Sequence, residues 1–440
     1  MIDGVGPAEP PGDGIPPAEA LRAAARRFGT PCFVTSVAGL DAAAADLRAA
    51  FPDPWLRSYS LKANDVVAIV AQLTAPGAPG GLGANVVSRG EWAIARRAGV
   101  PDERITLEGI GKTDADLRAA VRAAAAGAPL RWVAIESEVE AATLAREALR
   151  AGLGRDGRPR LEVLLRLNPD VRPDTHPGLA VGARGSKFGM RDDELAAAID
   201  AGGGPDGPLG WRGIHLHVGS GLRTVDAWRD AVRRALALIA LLGGGLPSFD
   251  TLDVGGGFPG GPAVPSPARF AGELQGLLAA LPADRRPARL AVEPGRWLVA
   301  RAGWLVARVL PVRERPEGAQ VVLDAGMTEL IRPALYGAAH EIRALTALGR
   351  PVDGADGAVD PADLRPTRVD GPICESTDAL GDHPLPRLRR GDIVAIHDAG
   401  AYGAVLGSTY NGRPRPPQIL LEDTGGLRRV RRRGSLAGLG

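Results

Sequence analysis

The sequence predicts a two-domain α/β protein, in which a (β/α)8 TIM barrel is followed by an all-β domain. Between about residues 56 and 293, eight short aliphatic and β-branched runs alternate with Ala/Leu/Arg-rich segments of helical spacing. A polar residue follows most of these runs, as expected at the mouth of a barrel. After about residue 300, strand-like runs are separated by Gly and Pro instead. A doubly wound sheet is the alternative, but eight repeats in this length favour closure.

The eight strand candidates are evenly distributed, and the strongest helix candidates lie between them. The strands are expected at 56–62, 84–88, 105–109, 132–136, 161–168, 213–218, 251–254 and 290–293. The clearest helices are expected at 114–126, 138–151 and 225–242. Barrels of this class take about 250 residues, which matches the span of the repeats.

The second half is expected to form a Greek-key, sandwich-like β domain. Its strand candidates are 302–312, 319–322, 392–397 and 418–422, while 356–366 is predicted to be a surface loop. The basic run 428–433 is interpreted as an edge strand in preference to a binding patch. The predicted domains are a disordered or peripheral segment 1–30, a barrel 31–300, and a β domain 301–440.

Composition excludes several classes of protein. The 440 residues are 45% hydrophobic and carry a net charge of +2, so charge gives no indication of nucleic-acid binding. Cys32 and Cys374 have no metal-ligand spacing, and no metal is expected. The N-terminal residues lack the pattern of a signal peptide, and the longest apolar run, 235–242, is too short to span a bilayer. We therefore expect a cytoplasmic protein without a membrane partner.

Lysine is rare in this chain, which makes each lysine informative. Of 53 basic residues only Lys62, Lys112 and Lys187 are lysines. Lysine can form an imine with a carbonyl, whereas arginine cannot lose its proton near neutral pH. Lys62 ends the first predicted strand in apolar surroundings, where partial burial would lower its pKa. Lys62 is therefore a candidate for covalent chemistry, and an ordinary lysine at the barrel rim is the alternative.

Two glycine-rich loops follow neighbouring strands and suit a phosphate. Backbone N–H groups can approach an anion closely where no side chain intervenes, and barrels often bind phosphate on their late loops. Two sets of side chains are candidates to complete the site: Arg296, or alternatively the hydroxyls of Ser220 and Tyr402. The glycines are Gly219 and Gly221 in one loop, and Gly255, Gly256 and Gly257 in the other.

Glu293 and His217 end the last and the sixth predicted strands. A carboxylate such as Glu293 can hold a pyridine nitrogen in its protonated form. His217 shares a strand face with His215, so a metal pair is conceivable, although no third ligand is evident. Stacking of His217 on a planar cofactor is the preferred interpretation.

Ten sequence motifs resemble those of one enzyme family. The chain is similar to the fold-type III, alanine racemase-like pyridoxal-phosphate decarboxylases over roughly residues 30–435, and most closely to the branch that acts on diaminopimelate. The motifs are YSLKAN (59–64), VSRGE (87–91), LRLNPD (165–170), THP with SKFG (175–177, 186–189), HLHVGS (215–220), DVGGG (253–257), EPGR (293–296), DAGMTELIRPALY (324–336), GPICES (371–376) and HDAGAYG (397–403).

The resemblance implies pyridoxal 5'-phosphate as cofactor and assigns roles to individual residues. It implies that Lys62 bonds covalently to the cofactor, Glu293 pairs with its ring nitrogen and His217 lies against its ring. It places the phosphate on Ser220, Tyr402 and the three glycines at 255–257. It also implies a head-to-tail homodimer, in which Cys374 reaches the partner's site and donates a proton to the substrate carbon.

The resemblance also implies an amino-acid substrate, meso-diaminopimelate, which loses CO2 to give L-lysine. The distal end of that molecule carries both an ammonium and a carboxylate. The guanidinium of Arg332 suits the carboxylate, and Glu375 suits the ammonium. The residues expected to assist are Arg296, Tyr336 and Tyr402.

Four departures from the family pattern keep other functions open. Asn85 stands where an acidic residue is usual, Arg89 replaces a small residue, the segment 108–113 reads EGIGKT, and Thr328 replaces an amide. These changes leave room for a paralogous decarboxylase acting on another amino acid or a carrier-tethered acyl group in a secondary-metabolite or siderophore pathway. A racemase and a non-catalytic, cofactor-carrying regulator are less favoured, because Lys62, Cys374 and Glu375 are present.

Overall fold

A computed structural model describes residues 17–75, 81–246, 248–260, 264–316, 318–352 and 360–439. The chain divides into two units: a barrel unit of residues 44–297, and a sheet unit made of the residues up to 43 together with those from 298 onward. No helix in the described ranges has the length and apolar character needed to cross a membrane.

The N-terminal segment supplies the first elements of the sheet unit. Helix α1 (Ala18–Phe28) buries Leu21, Ala24 and Ala25 along one face. Strand β1 (Cys32–Ser36) is buried throughout, and α2 (Val37–Ala50) follows it. Residues 18–28, which the sequence predicts to be disordered or peripheral, are therefore ordered as a helix, while residues 1–16 lie outside the described part of the chain.

The barrel unit contains a closed, all-parallel barrel of eight strands, which confirms the predicted fold class. Pairing of Leu56 with Ala291 and of Arg57 with Val292 closes the ring. Nearly every strand residue is buried, because the helices cover the outer face of a parallel sheet. The strands are β2 (Leu56–Ser60), β3 (Gly83–Val86), β4 (Ile105–Leu107), β5 (Trp132–Ile135), β6 (Leu161–Leu167), β7 (Leu209–Leu216), β8 (Thr251–Asp253) and β9 (Arg289–Val292).

Helices follow the strands, and their starts are fixed by local capping. Ser88 Oγ accepts a hydrogen bond from Glu91 N, and Thr113 forms a capping box with Asp116. The three predicted helices differ from the observed α5, α6 and α8 by at most one residue at each end. The helices are α3 (Val67–Thr74), α4 (Arg89–Arg97), α5 (Asp114–Ala125), α6 (Glu138–Arg150), α7 (Asp192–Ala201), α8 (Asp226–Leu242), α9 (Pro267–Ala279) and α10 (Arg296–Val299).

The sheet unit is built on one mixed sheet of nine strands. Their order along the main path is β16-β15-β11-β10-β1-β18-β19, with β17 and β12 branching from β10. An apolar core lies against it, formed by residues such as Phe33, Leu305, Val321, Leu380 and Val394. The strands from the second half are β10 (Gly303–Arg315), β11 (Gly318–Leu323), β12 (Ile342–Ala344), β15 (Arg365–Asp370), β16 (Ala379–Leu385), β17 (Ile393–Ile396), β18 (Gln418–Leu421) and β19 (Leu427–Arg431), beside helix α11 (Arg332–Tyr336) and the small pair β13 (Thr346–Ala347) and β14 (Arg350–Pro351).

Strand β1 corrects the predicted start of the barrel at residue 31. It pairs antiparallel with β10 and parallel with β18, so it belongs to the sheet unit. Its uniform burial gives no alternation that would have distinguished a sheet strand from a barrel strand. At the other end, the structural boundary lies three residues before the predicted one at 300.

The basic run near the C-terminus is an edge strand, as the sequence suggests. Strand β19 ends the main path of the sheet and pairs only with β18 among the described strands. The predicted loop 356–366 is wrong at its end, because Arg365 and Pro366 begin β15. Residues 353–359 lie outside the described ranges.

Candidate active site

Lys62 lies at the first turn beyond β2. It is the middle residue of a 3-10 helix, Leu61–Ala63, and its side chain is only partly exposed. The buried Tyr59 hydroxyl donates to the carbonyl of Asn64 over 2.7 Å, which fixes the backbone around the lysine. The lysine charge acts on three groups of the barrel, Glu91, His215 and His217. The predicted imine residue is thus held on a short, well-ordered turn.

Glu293 lies directly after β9 and is buried. Its Oε1 accepts a hydrogen bond from Asn85 Nδ2 over 2.7 Å and one from Thr106 Oγ1 over 3.4 Å. Asn85 is held in turn by Ser60 Oγ, which donates to its Oδ1 over 2.9 Å. Donors on one oxygen favour the carboxylate form and fix its plane. The departure at Asn85 therefore supplies a hydrogen-bond donor to Glu293.

The two histidines of β7 have different surroundings. His217 Nδ1 accepts a hydrogen bond from Gly256 N over 3.2 Å, and burial together with the Lys62 charge lowers its pKa well below the usual value. A neutral ring of this kind suits stacking. His215 Nε2 lies 3.2 Å from Glu108 Oε2 and 3.4 Å from Glu293 Oε2. Two carboxyls therefore lie close to Nε2 of His215.

The glycine loop after β8 has no room for side chains. A Cβ on Gly255, Gly256 or Gly257 would lie 2.3, 2.5 or 2.6 Å from a backbone oxygen, and Gly255 and Gly257 have φ of 65° and 101°. On the neighbouring loop, Arg296 Nη2 donates to Ser220 Oγ over 3.0 Å. The barrel unit thus brings the predicted phosphate ligands Ser220 and Arg296 together.

In the sheet unit, Arg332 and Tyr336 are the two ends of helix α11. Arg332 Nη1 lies 3.0 Å from Nε2 of the buried His340, whose Nδ1 lies 2.8 Å from the carbonyl of His397. Because guanidinium and carbonyl have fixed roles, Nδ1 of His340 carries the proton and Nε2 accepts from Arg332. His340 therefore orients the guanidinium and remains neutral while it does so.

Cys374 and Glu375 lie on an exposed turn of the sheet unit. The turn is anchored by buried Asp378, which accepts hydrogen bonds from Met327 N and Ile373 N, each over 2.6 Å. Glu375 interacts with Tyr410 and raises the pKa of that phenol. Tyr402 adopts a left-handed backbone conformation with φ of 57°.

Comparison with known proteins decides the family. Residues 37–300 match the model of the pyridoxal-dependent decarboxylase pyridoxal-binding domain. The chain belongs to the pyridoxal-dependent decarboxylases. It is 33% identical to diaminopimelate decarboxylase of Aquifex aeolicus over 94% of this chain and 91% of that one. It is 35% identical to that of Deinococcus radiodurans over 91% and 92% of the two chains.

Solved structures agree with the sequence comparison. Diaminopimelate decarboxylase from Helicobacter pylori, complexed with L-lysine, matches with a TM-score of 0.82 at 28% identity and covers 95% of this chain and 98% of that one. Diaminopimelate decarboxylase from m. jannaschii, in co-complex with L-lysine, also gives a TM-score of 0.82 at 28% identity and covers 96% of this chain and 93% of that one.

The barrel of this pyridoxal-dependent decarboxylase fits its family cofactor. A glycine loop that excludes any Cβ, with Ser220 and Arg296 beside it, suits a phosphate. Lys62 can bond to an aldehyde, and the carboxylate of Glu293 can accept a hydrogen bond from a ring nitrogen.

Several charged side chains buried in the decarboxylase have partners that the sequence does not reveal. Glu108 lies beside Glu293, and Arg166 pairs with Glu136 over 2.5 Å. Lys112 is buried and pairs with Glu140 over 2.9 Å, so it anchors its loop. In the sequence, Glu108 stands out only as part of the segment 108–113, which departs from the family pattern. Its position at a strand end does not reveal which carboxyls lie close to it.

The other departures have simple structural settings. Arg89 is exposed and pairs with Asp116 over 3.0 Å. The buried hydroxyl of Thr328 donates to Glu329 Oε2 over 2.8 Å. The first interaction joins the starts of α4 and α5, and the second joins two neighbouring residues of the sheet unit.

Proposed function

We propose that this decarboxylase converts meso-diaminopimelate to L-lysine and CO2. The observation that carries the substrate assignment is the similarity to diaminopimelate decarboxylases at 33–35% identity over more than nine-tenths of the chain. The orientation of Arg332 by His340 supports it, because the distal carboxylate of the substrate needs a fixed cationic partner.

In the proposed reaction, barrel residues hold and polarise the cofactor. Lys62 would bond to it, Glu293 would accept a hydrogen bond from its ring nitrogen, and His217 would lie against the ring. The phosphate would lie on the glycine loop with Ser220 and Arg296. Pyridoxal phosphate, when bound, supplies an electron sink for the pair left by the departing carboxylate.

Selection of the substrate is assigned to the sheet unit. The planar guanidinium of Arg332 can bind a carboxylate through two parallel hydrogen bonds. Glu375 would pair with the neighbouring ammonium of the substrate, and Tyr336 and Tyr402 would assist in binding. Ornithine and lysine have no distal carboxylate, so either would leave Arg332 facing an unpaired ammonium, which costs several kcal/mol when buried.

The proton donor is proposed to come from a second subunit. The Cys374 thiol is exposed and its turn is anchored by Asp378, so it can be presented to another copy of the chain. In a homodimer of this kind, mixing a Lys62→Ala variant with a Cys374→Ala variant restores one complete site in each mixed dimer. Random mixing predicts about a quarter of wild-type activity, whereas sites built within one chain predict none.

A substrate panel tests the proposed function. Release of CO2 is measured with meso-diaminopimelate, ornithine, lysine and arginine, using wild type and Arg332→Gln. We expect rapid release from diaminopimelate alone in wild type, and a selective loss in Arg332→Gln. Release from ornithine without release from diaminopimelate would identify a sibling decarboxylase, which the departures Asn85 and Glu108 keep as the second candidate. No release from any amino acid, with cofactor bound, would favour a regulator.

A further inference from the structure

Three carboxyl groups converge inside the barrel beneath the proposed cofactor site. Glu108 follows β4, Asp253 ends β8 and Glu293 follows β9, and all three are buried. The imidazole of His215 lies among them, with Nε2 3.2 Å from Glu108 and 3.4 Å from Glu293. Ionisation of all three acids would place three negative charges in one buried space.

His215 does not neutralise this cluster at neutral pH. Burial lowers its pKa to about 4, although the Glu108 charge opposes the shift. Among the described residues, neither of its nitrogens makes an aligned hydrogen bond. The Arg166 charge acts on both Glu108 and His215, but that guanidinium is already paired with Glu136. The cluster must therefore limit its negative charge by retaining protons.

The hydrogen bonds indicate which acid retains a proton. Glu293 Oε1 receives donors from Asn85 and Thr106, which favour its carboxylate. Glu108 Oε1 has no hydrogen-bond partner among the described residues, and its side chain interacts with Glu293. Burial and the Glu293 charge together raise the pKa of Glu108 to about 8. Asp253 behaves similarly: Oδ1 accepts from Gly255 N over 2.8 Å, but Oδ2 has no hydrogen-bond partner among the described residues, and burial with the Glu293 and Glu108 charges raises its pKa well above the usual value.

We propose that Glu108 is a positioning residue, held as a neutral carboxylic acid that shares its proton with Glu293 and keeps that carboxylate fixed and singly charged. Above the pH at which Glu108 ionises, a second negative charge appears beside Glu293. The effect of this charge on the cofactor rests on the proposed function. The retained proton itself is expected in the cofactor-free protein as well.

The first test uses cofactor-free protein. In the native state Glu108 keeps a proton that it has released in the unfolded chain. The free energy of unfolding therefore decreases progressively as pH rises from about 4.5 to about 8. Thermal unfolding is followed from pH 5 to 9 for wild type, Glu108→Gln and a control, Glu138→Gln, at an exposed helix start. The unfolding midpoint temperature of Glu108→Gln minus that of wild type is expected to increase by a few degrees as pH rises to about 8, and then to level off. Because the Glu108 charge also raises the pKa of Asp253, the difference reports Glu108 together with its effect on Asp253. A difference that stays flat, as in the control, would overturn the proposal.

A second measurement in the same protein reports the proton directly. The infrared difference spectrum between wild type and Glu108→Gln at pH 6 should contain the C=O stretch of a protonated carboxylic acid, which disappears by pH 9. A metal is the rival occupant, since ligand atoms of Glu108, His215 and Glu293 lie within 4.8 Å of one another. Stoichiometric metal in wild type that is absent from Glu108→Gln, with no protonated-acid band, would overturn the proposal.

The third measurement uses enzyme loaded with pyridoxal phosphate. The visible spectrum of bound cofactor is expected to change between pH 7 and 9 in wild type and to stay constant in Glu108→Gln, since the amide mimics the neutral acid at every pH. A change of equal size in both proteins would overturn the link to the cofactor. The proposed function fails separately: a spectrum that survives Lys62→Ala unchanged would reject the covalent lysine while leaving the cofactor-free results intact.

Discussion

The barrel and sheet units hold their candidate residues in different ways. In the barrel, Glu293 and Ser220 are tied to neighbouring side chains by hydrogen bonds of 2.7–3.4 Å, and the glycine loop tolerates no change. In the sheet unit, Cys374 and Glu375 are exposed on a turn that is anchored by the buried residues Ile373 and Asp378. The difference agrees with the proposed function, in which rigid barrel groups would hold the cofactor and accessible groups of the sheet unit would bind the substrate.

Replacement of Lys62 is expected to have the largest effect and tests the barrel half of this comparison. Lys62→Ala should remove the visible absorbance of covalently bound cofactor and lower activity by about 10⁴-fold, because the covalent group is lost. Lys62→Arg is the matched control: it keeps the charge and length but cannot form an imine. Retention of the absorbance band in either variant would contradict the assignment.

Changes at Arg332 should be smaller and should act on substrate alone. Arg332→Lys keeps the charge but loses the planar pair of donors, so kcat/KM for diaminopimelate should fall by about 10–100-fold, or ~1.5–3 kcal/mol. His340→Ala removes only the group that orients the guanidinium, and a fall of about 5-fold is expected. Cofactor absorbance should be unchanged in both variants. A weaker cofactor absorbance in either variant would contradict the proposal that these sheet-unit residues act only on the substrate.

The smallest effect concerns the acid stability of the sheet unit. Burial lowers the pKa of His397 to about 4, so the native state holds it neutral where the unfolded chain would be protonated. Its contribution is present above about pH 6.5 and is lost as pH falls toward 4, amounting to ~1–2 kcal/mol. Unfolding midpoints of cofactor-free His397→Gln should therefore fall less steeply between pH 6.5 and 4 than those of wild type. The control His383→Gln should follow wild type, and a His397→Gln slope equal to wild type would contradict the prediction.

The barrel was predictable because its periodicity is local. Each predicted strand of the barrel ends one or two residues beyond the observed one, since the polar site residues that mark the strand end already lie outside the ladder. Lys62 is an example: it was expected to end a strand and lies on the following turn. The site residues nearest to strand ends could be found in the same way.

What the sequence could not reveal depends on contacts between distant segments. Strand β1 has no local feature that selects β10 and β18 as its neighbours. Glu108 and Glu293 are remote in sequence, and their convergence follows from closure of the ring. The same holds for His340, whose role depends on one nitrogen facing Arg332 and the other facing a carbonyl of His397.

The pairing of β1 has a consequence for how the polypeptide is made. A strand formed by residues 32–36 needs residues 418–421 as its parallel neighbour, and those emerge from the ribosome roughly 20–80 s later at ordinary rates of synthesis. All of the barrel unit is translated in that interval. The nascent chain can therefore complete its eight-stranded ring while β1 still lacks β18, its parallel neighbour. The sheet unit is completed only at the end of translation.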